Sequence, residues 1–77
     1  MNLATEAAKT HAAVSAAELR RQRGYSVTDL AETCGLTESE IARIEAGEDV
    51  TIAYLKRVAA ALRCPLTEMR EYSRLSA

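Results

Sequence analysis

The chain has no phenylalanine and no tryptophan, and three tyrosines are its only large aromatic rings. A core built without such rings has to be thin and aliphatic. Hydrophobic residues do make up 48% of the 77, but the share leans on alanine, which buries little area per residue. This length allows one domain. It also lies near the lower range for independent folding, so oligomerisation is an expected source of further stability. Only two cysteines occur, Cys34 and Cys64, with neither a C-x-x-C spacing nor a histidine close by. Both stand where an apolar residue is wanted, so buried free thiols in a reducing cytosol are expected rather than a disulfide or a metal site. The single histidine, His11, sits alone in an alanine-rich stretch and reads as an exposed helical residue. With no nucleophile–base grouping, phosphate loop or ligand cluster, no enzyme, cofactor or metal is expected. No apolar run approaches the roughly 20 residues of a membrane span, and no charged n-region leads into a long apolar stretch. A soluble, cytoplasmic protein without a membrane partner is therefore expected.

Net charge is also lacking: it is −1, which argues against a generic polyanion binder. The distribution is uneven, however. Residues 1–25 carry Lys9, Arg20, Arg21 and Arg23 against Glu6 and Glu18, a balance of about +2. From Ser26 to Val50 stand Asp29, Glu32, Glu38, Glu40, Glu45, Glu48 and Asp49 against Arg43, a balance of about −6. Residues 51–77 return to about +3 through Lys56, Arg57, Arg63, Arg70 and Arg74 against Glu68 and Glu71.

What remains is helix. Residues 3–23 are rich in Ala, Glu, Lys, Arg and Leu, with neither Gly nor Pro, and Gly24 ends the run. Its first part has a weak stripe (Leu3, Ala7, Val14) and reads as a frayed arm or an extension of helix 1. Ser26 with Asp29 three residues on caps a second helix, whose apolar face is Val27, Leu30, Ala31 and Cys34 and which Gly35 closes. Thr37 and Glu40 form a capping box that opens a third helix. There Ile41 and Ile44 face inward, and Glu38, Ser39, Ala42 and Arg43 face out; Ala46-Gly47 ends it. Thr51 caps a fourth helix with the cleanest periodicity in the chain, Ile52, Leu55, Val58, Ala59 and Leu62. Pro65 breaks that helix at Cys64 and begins a short fifth one with Leu66 and Met69 inward. Tyr72 and Leu75 extend that apolar face toward a partner.

Five runs then fall into one order: L-R-x-x-R-G-Y-S from Leu19, L-A-x-x-C-G-L-T from Leu30, I-x-x-I-E-x-G from Ile41, L-x-x-V-A-x-A-L from Leu55 and L-x-x-M from Leu66. Each is weak alone, but in this order and spacing they resemble the Cro/C1-type helix-turn-helix proteins, the XRE family of lambdoid repressors and small bacterial regulators. The match runs from Ser15 to Met69. The resemblance implies an all-α, compact five-helix, lambda-repressor-like DNA-binding domain over residues 15–77, with residues 1–14 a helical N-terminal arm. Helix 3 would enter the major groove. The implied partners are an operator in double-stranded DNA and a second copy of the chain, and the implied origin is bacterial or phage.

The same resemblance assigns roles residue by residue. Arg20 would pair with Glu45, the glutamate closing helix 3, in place of a phosphate. Thr37, Glu38 and Ser39 open helix 3 at the DNA. Arg43, one turn on, can read guanine through O6 and N7. Glu38 either accepts from cytosine N4 or interacts with the helix N-terminus. Thr28 and the helix 2 N-terminus would meet a phosphate. Arg21 and Arg23 read either as backbone contacts or as a solvated basic face. Apart from the resemblance, small size and the apolar face that Met69, Tyr72 and Leu75 continue make those three the expected dimer interface. The chain departs from the family where Val27 stands for the usual glutamine, where Glu48-Asp49 stands for a basic loop, and where Arg63 follows helix 4 in place of glycine. Those acids keep a second function open: a protein-binding helix-turn-helix module, an antitoxin or antiactivator, with weak or lost DNA binding.

Overall fold

The computed structural model describes residues 14–48 and 50–76, and five α-helices hold most of them: α1 (Ala16–Gln22), α2 (Val27–Cys34), α3 (Glu38–Ala46), α4 (Ile52–Leu62) and α5 (Arg70–Ser76). A 3₁₀ turn at Leu66–Glu68 joins the last two. The expected all-α, five-helix domain is what forms.

The caps give each helix its place. Ser26 and Thr37 each make a complete capping box, with Asp29 and Glu40 returning a carboxylate to the cap N–H. Thr51 accepts from the Tyr54 N–H and starts α4. Gly35 and Gly47 close α2 and α3 in the left-handed region, where a side chain is strained. Arg63 takes that same conformation after α4, φ 57° and ψ 47°. The turn is left-handed without a glycine, at a cost of about 1 kcal/mol.

The core is as thin as the composition requires. Leu30, Ile41, Leu55, Val58, Leu62 and Met69 are fully enclosed, and Ala16, Leu19, Ala31, Ile44 and Ala59 complete the cluster. Each of the larger side chains contributes roughly 1.5–3 kcal/mol through removal from water. Cys34 and Cys64 are free but only half-buried. Burial pushes both thiols above their ordinary pKa, which lowers their thiolate fraction.

Two expectations are corrected at the termini. A helix does not run unbroken through residues 14 and 15. Val14 is extended and makes a parallel bridge with Met69, its N–H donating to the Glu68 carbonyl (3.0 Å) and its carbonyl accepting from the Arg70 N–H (2.9 Å). Ser15 is then the N-cap of α1, accepting from the Glu18 N–H at 3.1 Å. The Ala16 N–H, which no intrahelical carbonyl can satisfy, donates to both oxygens of Glu71 (3.2 and 3.4 Å). Glu71 is only 5% exposed. The remainder of the proposed arm, 1–13 with Leu3 and His11, lies outside the described residues.

The second correction concerns the C-terminal face. Pro65 does not begin an α-helix; the 3₁₀ turn follows it, Met69 is extended, and α5 starts at Arg70. Met69 is 0% exposed, enclosed by its own chain, and so is not a surface for a second copy. Tyr72 is half-buried, and Leu75 is 43% exposed.

Candidate nucleic-acid interface

The outer side of α3 presents Glu38, Ser39, Ala42 and Arg43, all exposed, while Ile41 and Ile44 anchor the opposite side in the core. Positions 38 and 42, and 39 and 43, are one helical turn apart and share a face. The Arg43 side chain makes no hydrogen bond or ion pair to another described residue. It is the one base between Ser26 and Val50.

Two sets of contacts set the angle and position of α3. At its C-terminal end Arg20 meets Glu45 through two parallel bonds, Nε to Oε2 at 2.7 Å and Nη2 to Oε1 at 3.1 Å. Arg20 Nη1 also donates to the Tyr25 carbonyl at 3.1 Å. The bond to Glu45 raises the already high guanidinium pKa further. Arg20 is therefore engaged within the protein at three donors. At the N-terminal end, Tyr54 donates its hydroxyl to Glu40 (3.2 Å), Arg57 lies 5.9 Å from the centre of the Tyr54 ring, and Arg57 Nη1 donates to the Gly35 carbonyl (3.3 Å). These bonds tie the turn between α2 and α3 to α4, a role for Tyr54 and Arg57 that no motif in the sequence pointed to.

The acids are sorted by the same bonds. Glu45 is neutralised by Arg20. Asp29 and Glu40 each accept at their own helix N-terminus; bonds to the Ser26 backbone and hydroxyl lower the Asp29 pKa, and the bond from the Thr37 backbone does most to lower that of Glu40. Glu38 accepts from the Thr28 hydroxyl at 2.7 Å. The side chains of Glu32 and Glu48 make no bond to a described residue and project from the surface; Asp49 lies outside the described residues. Of a balance of about −6, the Glu45 charge is thus paired with Arg20, while Glu38, Asp29 and Glu40 keep their charge in bonds made within the fold.

Other positions singled out in the sequence fall as follows. Thr28 is exposed at the start of α2, but its hydroxyl proton is directed to Glu38 and is not available to a phosphate in this arrangement. Thr37 is an N-cap and its hydroxyl accepts the Glu40 N–H (3.0 Å). Arg21 is exposed. Arg23 donates through Nε to the Leu62 carbonyl at 2.8 Å, closing the C-terminus of α4 in the manner favoured by the helix dipole. Among the described residues no three of His, Cys, Asp and Glu come together as a metal site requires, and no helix is long and apolar enough to cross a membrane.

The chain is matched by a family model described as helix-turn-helix over residues 17–69. It is 36% identical over 52 residues to the HTH-type transcriptional regulator SlrR of Bacillus subtilis (strain 168). That alignment takes in 65% of this chain and 34% of the regulator, so the chain matches about a third of the length of this relative.

Proposed function

The chain belongs to the Cro/C1-type helix-turn-helix family, and on that premise we propose that it binds double-stranded DNA sequence-specifically and regulates transcription, with α3 in the major groove. The observation that carries this reading is the outer face of α3. Ser39 and Arg43 stand exposed on it, with Arg43 bonded to no described residue, and the helix beneath them is fixed at both ends by Arg20–Glu45 and Tyr54–Glu40. An arginine held this way is suited to bidentate contact with guanine. Arg21 lies exposed on α1 for contact with the DNA backbone.

In this proposal the protein acts as a homodimer and represses by occupying its operator. Two copies would present two α3 helices about 34 Å apart, one turn of DNA. Exposed Leu75, beside half-buried Tyr72 at the end of α5, supports placing the contact between copies there. Retardation in a gel of the DNA upstream of its own gene, but not of random DNA, is the expected result; equal behaviour of the two DNAs would defeat the proposal.

One observation favours a second reading. Glu32 and Glu48 are exposed and bonded to no described residue, and such acids repel phosphate. A helix-turn-helix module that docks on a basic protein partner would use those acids directly. Absence of DNA retardation together with a stable complex with one co-purifying protein would select it.

A further inference from the structure

We infer that Thr28 is a positioning residue for base recognition: its hydroxyl holds the Glu38 carboxylate so that this side chain selects a cytosine in the operator. This rests on the DNA-binding reading above and extends it to a second side chain of α3 and to a residue of α2. Thr28 and Glu38 are both exposed, one near the start of α2 and the other the first residue of α3, and the hydroxyl and carboxylate oxygens lie 2.7 Å apart. A hydroxyl has a single proton to donate. In donating it to a carboxylate it makes a short, charge-assisted bond, which restricts an otherwise mobile glutamate and engages Oε2, leaving Oε1 with no hydrogen bond to a described residue.

The chemistry of the remaining acceptor sets the base. A carboxylate accepts and cannot donate. In the major groove guanine offers two acceptors and thymine an acceptor and a methyl group, so both repel it or leave it unpaired; adenine places its N7 acceptor beside its N6 donor; cytosine offers the N4 amine alone. Cytosine is the base on which a fixed carboxylate finds a donor and no acceptor. The same arrangement gives an acid beside DNA a specificity role through rejection, because the wrong base leaves two acceptors facing each other. A positive contact through Arg43 and a rejecting contact through Glu38 would then lie five residues, roughly 7.5 Å, apart along α3.

The test starts from random-sequence duplexes enriched through rounds of retention on the purified full chain. Within the recovered sequence, cytosine is expected at one fixed position in the half-site. Exchanging that C·G pair for T·A should weaken wild-type binding about tenfold. The ratio of the two affinities is the readout, because it is insensitive to a general loss of binding. Thr28→Val should reduce the ratio to within about threefold of unity, and Thr28→Ser, which restores the hydroxyl, should recover it. Glu38→Gln should move the preference from cytosine to adenine, since an amide can bond N6 and N7 together. If Thr28→Val weakens both duplexes equally and leaves the ratio intact, Thr28 contacts phosphate and the inference is overturned. A recovered sequence with a fixed guanine assigned to Arg43 but no Glu38-dependent cytosine also overturns it, while leaving the DNA-binding reading in place. Recovery of no sequence at all removes both.

Discussion

Arg20 and Glu45 meet through two parallel hydrogen bonds across 25 positions of sequence, and each side chain is only 13% exposed. The pair joins α1 to the last turn of α3, and with the bond to the Tyr25 carbonyl it also fixes the entry to α2.

Removing one partner leaves the other charge poorly solvated. Arg20→Ala or Glu45→Ala should destabilise the fold by about 2–4 kcal/mol, between the values for exposed and buried pairs. Arg20→Lys should not rescue it, because an ammonium cannot make the paired bonds. Urea denaturation reads all three variants; a loss below half a kcal/mol in the alanine variants would show that the bridge does not hold α3.

Backbone strain gives a prediction of opposite sign at two turns. Arg63→Gly removes a left-handed side chain and should stabilise by about 0.5–1 kcal/mol, after allowance for the greater freedom of glycine in the unfolded chain. Gly47→Ala should destabilise because φ is +79° there; the Arg74 guanidinium, 2.5 Å from where a Cβ would stand, is the end of a flexible side chain and can move aside. Melting temperatures moving in the same direction for both would contradict the geometry.

The two capping carboxylates carry an acid dependence. Asp29 and Glu40 have folded-state pKa values below their ordinary 3.8 and 4.5. Their contribution to stability is thus complete above those values and declines as pH falls through the lower folded-state values, where the carboxylates protonate. Asp29→Asn with Glu40→Gln should flatten the fall in urea midpoint between pH 5 and about 2.5 relative to the parent. Parallel curves would place the acid sensitivity elsewhere.

The proposed dimer depends on Leu75, 43% exposed at the end of α5. Leu75→Glu should convert a dimer to monomer in sedimentation equilibrium without loss of helix content, since the side chain lies outside the core. A dimer that persists would move the interface off α5.

Much of this was legible in the sequence because it is local. The Ser26–Asp29 and Thr37–Glu40 boxes, the glycines after α2 and α3, and the inward positions Ile41, Ile44, Leu55, Val58 and Leu62 all follow from spacing within a few residues. The start of α1 was not read, although Ser15-Ala-Ala-Glu18 carries an S-x-x-E signal; high helix propensity through Leu3–Arg23 obscured it, and tertiary bonds to Glu68, Arg70 and Glu71 decided it. Met69 took its place in the core by the same bridge. Thr28–Glu38, Tyr54–Glu40 and Arg23–Leu62 join groups 10, 14 and 39 positions apart. No periodicity encodes such contacts, and they change the site most: they take up Thr28 and Arg23 and engage Glu38 and Glu40, two acids that counting alone sets against DNA.

That α3 reads DNA through Arg43 is tested most directly by the affinities of the parent and Arg43→Ala for the recovered operator and for a scrambled duplex at one salt concentration. Arg43→Ala should cost about 1–3 kcal/mol on the operator and far less on the scrambled duplex. Unchanged operator affinity in Arg43→Ala, or equal affinity of the parent for both duplexes, would contradict it.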